Sequence, residues 1–178
     1  VEQALYYTRS SVVEKDYVIR RCSLDHIVSQ VIKNHAKILI SRQFSIQREN
    51  LDQIVYTDVK WIDFILGQIV TNAVKYREAE KPQLRFAAEA RDSQVVLTIE
   101  DNGGGISARD LPRIFDKGFT GDNGRQVARS TGMGLYLVKQ LCEKMNIGIQ
   151  AESQPGMGTM IKLSFPLSGF LLPESMSE

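Results

Sequence analysis

Gln68, Asn72 and Lys75 stand four and three residues apart within a stretch that reads as one helix, from about Asp58 to Glu80. Such spacings stack side chains on one helix face, so two amides and an ammonium form a row. The row adjoins an apolar seam of Ile62, Leu66, Ile69 and Ala73, the core side of the same helix. An amide oxygen can ligate a hard cation and a lysine can neutralise phosphate charge, so the row fits a polyphosphate site. Taken alone, it fits the solvated flank of an amphipathic helix as well.

Two glycine-rich signals follow. VVLTIEDNGGGI is a strand that ends in Asp101 and opens into Gly103, Gly104 and Gly105, which allow close backbone approach to a ligand. Read as Gly103-x-Gly105-x-x-Ala108 it meets a loose dinucleotide fingerprint, but Pro112 and Gly118 leave little room for the crossover helix. Asp122, where an acidic residue should end a second strand, lies in another glycine loop. Neither a GxxxxGK[ST] loop nor calcium-loop spacing is present. In STGMGLYLV a glycine turn runs straight into an apolar helix, whose start offers unpaired N–H groups and a positive dipole end to an anion. An ordinary glycine-rich helix start reads the same way. Between the two signals Arg113, Lys117, Arg125 and Arg129 outnumber Asp116 and Asp122, as in a lid over phosphates.

These residues need a scaffold. Residues 1–13 read as a helix and Glu14–Ser23 as a linker or short strand; Ser23 then N-caps a helix from about Leu24 to Ser41. Leu24, Val28, Val31, Ile38 and Leu39 share a stripe of that helix at about 100° per residue. Phe44–Glu49 and Gln53–Thr57 read as a hairpin-like pair around Asn50-Leu51-Asp52. The helix from Asp58 stops before Pro82, and Leu84–Ala90 and Val95–Glu100 follow as strands. A helix resumes after Gly132 to about Met145, and Gly148–Ser153 and Thr159–Phe165 close the domain as a strand pair. The order predicts a two-layer α/β sandwich with a mixed sheet, followed by a loose tail over 168–178.

Composition narrows the function. With 22 Lys+Arg, 21 Asp+Glu and a formal charge of +1, bulk electrostatic capture of nucleic acid or an anionic membrane is not expected. Hydrophobic residues at 43% argue for a packed globular domain, and no apolar run approaches the roughly 18 residues of a membrane span. Cys22 and Cys142 have no metal-ligand spacing and read as buried, reduced thiols. Val1 in place of an initiator methionine implies a piece of a longer protein.

In order along the chain, Asn72, Asp101-Asn102-Gly103-Gly104-Gly105, Phe115 in its basic loop, and Gly132-x-Gly134 resemble the four nucleotide-binding boxes of sensor histidine kinases. Gly156-Met157-Gly158-Thr159 is similar to the further glycine-threonine turn of that family, and the resemblance spans roughly Ser23–Pro166. IFDKGFTG, NGR and STGMGLYL resemble kinases of the bacitracin-sensing type from Gram-positive bacteria. The fold implied is the Bergerat ATP-binding sandwich, with a glycine-rich ATP lid, shared with DNA gyrase and mismatch-repair ATPases.

The resemblance implies a role for each matching position. Asn72 ligates Mg²⁺ on the phosphates, Lys75 contacts the phosphates, and Tyr76 lies near adenine or ribose. Asp101 accepts from the adenine amine, Gly103 and Gly105 let base and sugar pass the backbone, and Thr159 supports adenine through its hydroxyl. Gly132 and Gly134 shape the phosphate-binding helix start, and Arg125 or Arg129 reaches the γ-phosphate. Ile106, Lys117, Gly118, Phe119, Thr131, Met133 and Leu135 lie beside these positions and are expected to join them around the nucleotide, while Phe115 and Phe119 also anchor the lid.

The hydrolysing relatives carry a glutamate base where this chain has Gln68, which cannot take a proton from water, so transfer is favoured over hydrolysis. Neither His26 nor His35 is followed by an acidic residue, as family acceptors usually are. His35 reads as a core-edge residue and His26 as solvent-facing. The expected organisation is therefore a remnant of a dimerisation helix and its linker over 1–22, an ATP-binding catalytic domain over 23–167, and the tail. The expected activity passes the γ-phosphoryl group of Mg-ATP to a histidine on the kinase's own dimerisation domain, for relay to a response regulator. The domain is expected in the cytoplasm and its parent as a membrane-anchored homodimer. A module that binds nucleotide without transferring it remains open, as do a serine-phosphorylating relative and an ATP-hydrolysing one.

Overall fold

The structure is a computed structural model, and it describes residues 17–121 and 131–167. The expectations for 1–13 and 168–178, and for Arg125 and Arg129, lie outside the described residues.

A short strand, β1 (Arg20–Ser23), leads into α1 (Leu24–Asn34). Ser23 caps α1 as expected, its Oγ accepting from the His26 N–H at 3.3 Å, and Leu24, Ile27, Val28 and Val31 are buried. The predicted single helix to Ser41 is instead two, because the backbone leaves helical geometry at His35 (φ −104°, ψ 8°) before α2 (Ala36–Ser41) begins. The stripe therefore breaks: Leu39 is buried, whereas Ile38 and Ile40 are exposed. His35 explains the turn. Its Nδ1 lies 2.9 Å from the Val31 carbonyl oxygen, and its ring fills the notch at Gly67, where an added Cβ would stand 3.2 Å from Cε1.

The expected hairpin does not form. β2 (Ser45–Glu49) runs parallel to β4 (Gln83–Arg91), with Ser45 opposite Gln83, while β3 (Ile54–Thr57) pairs antiparallel with β1. The connection is drawn inward: Leu51 is buried, and the Leu24 N–H donates to the Gln53 carbonyl at 2.9 Å. Val55 and Thr57 are then fully buried on β3, which a hairpin on the sheet edge would not allow.

Asp58 caps α3 (Val59–Lys75) through Oδ1, which accepts from the Lys60 and Trp61 N–H groups at 2.9 and 3.2 Å. Its Oδ2 accepts from the Val18 N–H at 2.6 Å and so ties the incoming chain to the helix. α3 ends five residues short of Glu80, because the Tyr76 carbonyl accepts from the Gly104 N–H at 3.2 Å instead of continuing the helix. The strands β5 (Gln94–Asp101), β6 (Gly148–Gln154) and β7 (Gly158–Pro166), with α4 (Gly134–Lys144), complete the domain. The main sheet has the order β2-β4-β5-β7-β6 and is mixed, only its first pair being parallel.

One sheet face meets the helices. Leu84 and Phe86 of β4, Leu97 and Ile99 of β5 and Leu163 and Phe165 of β7 pack with Ile62, Leu66 and Val70 of α3 and Val138 and Leu141 of α4. Alternation sends Arg85 to the other face, where it pairs with Glu49 at 2.6 Å and Glu100 at 3.2 Å. Cys142 is buried as expected, and burial pushes its thiol up to about 12; Cys22 is only half-buried.

Candidate functional site

The C-terminal end of α3, the end of β5 and the start of α4 converge on one cavity of about 710 Å³. Of the residues expected there, Asn72, Lys75, Tyr76, Asp101, Gly105, Ile106, Phe119, Thr131, Gly132, Gly134, Leu135 and Thr159 all line it. Gln68 lines it as well. Gly103, Lys117, Gly118 and Met133 do not reach its wall. Phe115 is also off the wall and carries the Lys139 ammonium 5.6 Å from its ring centre, in keeping with an anchoring role.

At one end Asp101 stands opposite Thr159 in the β5–β7 register. Burial raises the Asp101 pKa, and the backbone N–H groups of Gly103 and Thr159 oppose that rise. The Gly103 N–H donates to Asp101 Oδ1 at 2.8 Å, so this glycine fixes the carboxylate from behind the wall. Gly105 has φ +71°, and a Cβ there would overlap the Gln154 carbonyl oxygen; the loop can lie this close to the β6–β7 turn only as glycine. The Gly156 N–H donates to the Gly104 carbonyl at 2.7 Å and zips loop and turn together.

At the other end α4 starts at Gly134, and Met133 before it caps no leading N–H group with its side chain. Gln68 reaches across from α3, and a Cβ on Gly134 would stand 2.7 Å from its Oε1. Gly132, at φ +65°, would collide with the Gly118 backbone if it carried a side chain, and the Gly118 N–H donates to its carbonyl at 3.0 Å. Gly118 thus ties its own loop to the turn before α4 rather than lining the cavity. Lys75 stands with its ammonium 5.1 Å from the Tyr76 ring centre.

The donor set suits an anionic ligand with a cation. Among the described residues no three His, Cys, Asp or Glu side chains gather as metal ligands. Asn72 offers one neutral oxygen, so a hard cation held there would take its other ligands from phosphate and water, the habit of Mg²⁺.

Residues 57–169 match the family model described as histidine kinase-, DNA gyrase B-, and HSP90-like ATPase. The chain belongs to that family. It is 37% identical over 166 residues to the sensor histidine kinase YxdK of Bacillus subtilis, covering 93% of this chain and 51% of that protein. It is 39% identical over 180 residues to the sensor protein kinase GraS of Staphylococcus aureus, covering all of this chain and 51% of that protein. The chain thus spans about half the length of these relatives. The fold matches the catalytic domain of histidine kinase ThkA with TM-score 0.72 at 19% identity, over 84% of this chain and 97% of that one. It also matches the Acinetobacter baumannii histidine kinase AdeS with TM-score 0.73 at 21% identity, over 94% and 77% of the two chains.

Within this ATP-binding family fold, several wall residues had not been singled out from the sequence. Asp110 is buried on the cavity wall, and Glu78 lies against Gly104. Neither stands in a spacing that would mark it, since loops rather than helix periodicity bring them in. Ser153, on β6, stands in no motif either, although its hydroxyl ties the Ile106 loop to Thr159. Of the two histidines, His26 is exposed and His35 is half-buried against Gly67, and neither lines the cavity.

Proposed function

We propose that the chain binds Mg-ATP in this cavity and passes the γ-phosphoryl group to a histidine on another domain. The observation that carries the reading is the joining of Asn72 and Lys75 on α3 to Asp101 and Thr159 at one end and to the glycine-started α4 at the other. Asp101 accepts from the exocyclic amine of adenine, and Tyr76 and the Gly105 loop flank base and ribose. Lys75 and the leading N–H groups of α4 neutralise the phosphates, and Asn72 would hold a divalent cation, which would offset their remaining charge. Bound Mg²⁺ would supply charge neutralisation for the transferred group; the protein's share is to position and stabilise it. Gln68 stands at the wall without a basic group to activate water, which supports transfer over hydrolysis.

The acceptor is then supplied from outside, since His26 and His35 both lie off the cavity wall. We assign residues 1–22 to the end of a dimerisation helix and its linker, 23–167 to the catalytic domain and 168–178 to a tail. The natural partners are the histidine-bearing dimerisation domain and, after it, a response regulator, in a membrane-anchored dimer with this domain in the cytoplasm. No helix among the described residues is long and apolar enough to cross a membrane.

The test uses radiolabelled ATP with this chain alone, then with the separately supplied dimerisation domain, then with its histidine replaced by glutamine. Acid-labile label is expected only in the second mixture, and slowly, because the tether that raises effective concentration is missing. Label on His26 or His35 of this chain alone would overturn the reading. Binding of ATP with no label on a folded acceptor would leave a nucleotide-binding module.

A further inference from the structure

Three groups meet on the hydroxyl of Ser153, a half-buried residue on β6 that faces Thr159 across the β6–β7 ladder. The Ile106 N–H donates to Ser153 Oγ at 2.8 Å. Ser153 Oγ donates to the Gly158 carbonyl at 2.6 Å. Thr159 Oγ1 lies 3.1 Å away from the same oxygen. A serine hydroxyl carries one proton and two lone pairs. Its proton is committed to Gly158 and one lone pair to Ile106, so the contact with Thr159 is made by the threonine's own proton. The Thr159 hydroxyl therefore turns lone pairs, not a donor, toward the cavity that it lines. Beside it stands the Asp101 carboxylate, a second acceptor.

We propose that Ser153 is a positioning residue that locks the Thr159 hydroxyl as an acceptor and so selects a purine edge bearing an amine over one bearing a carbonyl. The assignment rests on the nucleotide reading above and adds the device that sets base preference. A carbonyl at the same place would face lone pairs from both Asp101 and Thr159. With Ser153 gone, the threonine hydroxyl is free to rotate and donate, and the penalty on the carbonyl falls. A purely structural Ser153, tying the Ile106 loop to the Gly158 turn, would act on every nucleotide alike.

The experiment compares ADP with IDP, which share their phosphates and differ where adenine's amine becomes a carbonyl, by calorimetry with Mg²⁺ on the whole chain. The wild-type protein is expected to prefer ADP. In Ser153→Ala the ADP-to-IDP affinity ratio should contract roughly three- to tenfold, the worth of one hydrogen bond. Ser153→Thr, which keeps the oxygen, should restore it. In a Thr159→Val background Ser153→Ala should leave the ratio where Thr159→Val put it, because the effect passes through that hydroxyl. Equal weakening of both nucleotides by Ser153→Ala, or a wild-type protein without preference, would overturn the assignment. Should Ser153→Ala fail to fold, Thr159→Val decides: its ratio must contract, and an unchanged ratio overturns the proposal. A wild-type chain that binds neither nucleotide would instead overturn the nucleotide reading, and the assignment with it.

Discussion

Asn72 lines the cavity from α3, and the role proposed for its side chain is to hold a cation there. Asn72→Ala also exchanges a moderate helix former for the best one in the interior of α3. The nucleotide-free melt should therefore stay within about 0.5 kcal/mol of wild type or rise slightly. Mg-ATP affinity should fall at least about tenfold, the worth of a charge-assisted contact. Calorimetry with and without Mg²⁺ checks this, since loss confined to the metal-bearing titration belongs to a cation ligand. Asp101 makes the complementary case. Burial raises its pKa, so the folded state holds that proton more tightly than the unfolded chain does. Its contribution to stability is then fully present below the unfolded value and lost as pH rises through the raised one. Above that raised value the ionised carboxylate costs the fold stability, a cost that suits the acceptor role proposed for Asp101. Asp101→Asn should leave the pH 7 melting temperature unchanged or higher while ATP binding collapses. A lower melting temperature, with binding kept, would make Asp101 structural.

At the scale of elements, the legible parts of the sequence were those governed by local rules. The Ser23 and Asp58 caps, the α3 seam, the two glycine-opened loops and the mixed sheet all follow from spacing and side-chain chemistry. What was not legible depended on distant partners. Leu51 is pulled into the core and divides β2 from β3, and Gly67 gives His35, at the break between α1 and α2, the notch for its ring. Gly104 captures the Tyr76 carbonyl and stops α3 early. The candidate site was readable where motifs carry it and unreadable at Glu78 and Asp110, which loops deliver, and at Ser153, which the β6–β7 pairing delivers. Gly132 tests its clasp with Gly118 as a unit. Gly132→Ala meets both a positive φ and the Gly118 backbone, so the clasp must open. Hydrogen exchange at the Gly118 amide should rise and Mg-ATP affinity should fall, with core amides of β5 and β7 unchanged. Protection retained at Gly118 would show that the clasp does not depend on Gly132.

The cavity is assembled from α3, β5, α4 and β7, all of which also supply the main core, so it exists only when the whole domain is folded. Nucleotide binding should therefore act on global stability and not on one loop alone. A ligand that binds only the folded state stabilises it by about 2.7 kcal/mol at 100 times its dissociation constant. For a domain of this size each kcal/mol moves the melting temperature by about 2–4 °C, so a rise of roughly 5–11 °C is expected at that concentration of Mg-ATP. The rise should come as one cooperative transition, because Phe86, Phe165 and Leu66 place sheet and helices in a single core. Asn72→Ala should shift the whole dose curve to higher Mg-ATP while starting from a ligand-free melting point equal to or slightly above that of wild type. Differential scanning calorimetry over a range of Mg-ATP reads both features. A second transition that alone responds to nucleotide would mean that the site-forming elements unfold apart from the core, and no shift at any concentration would mean that the cavity does not take Mg-ATP.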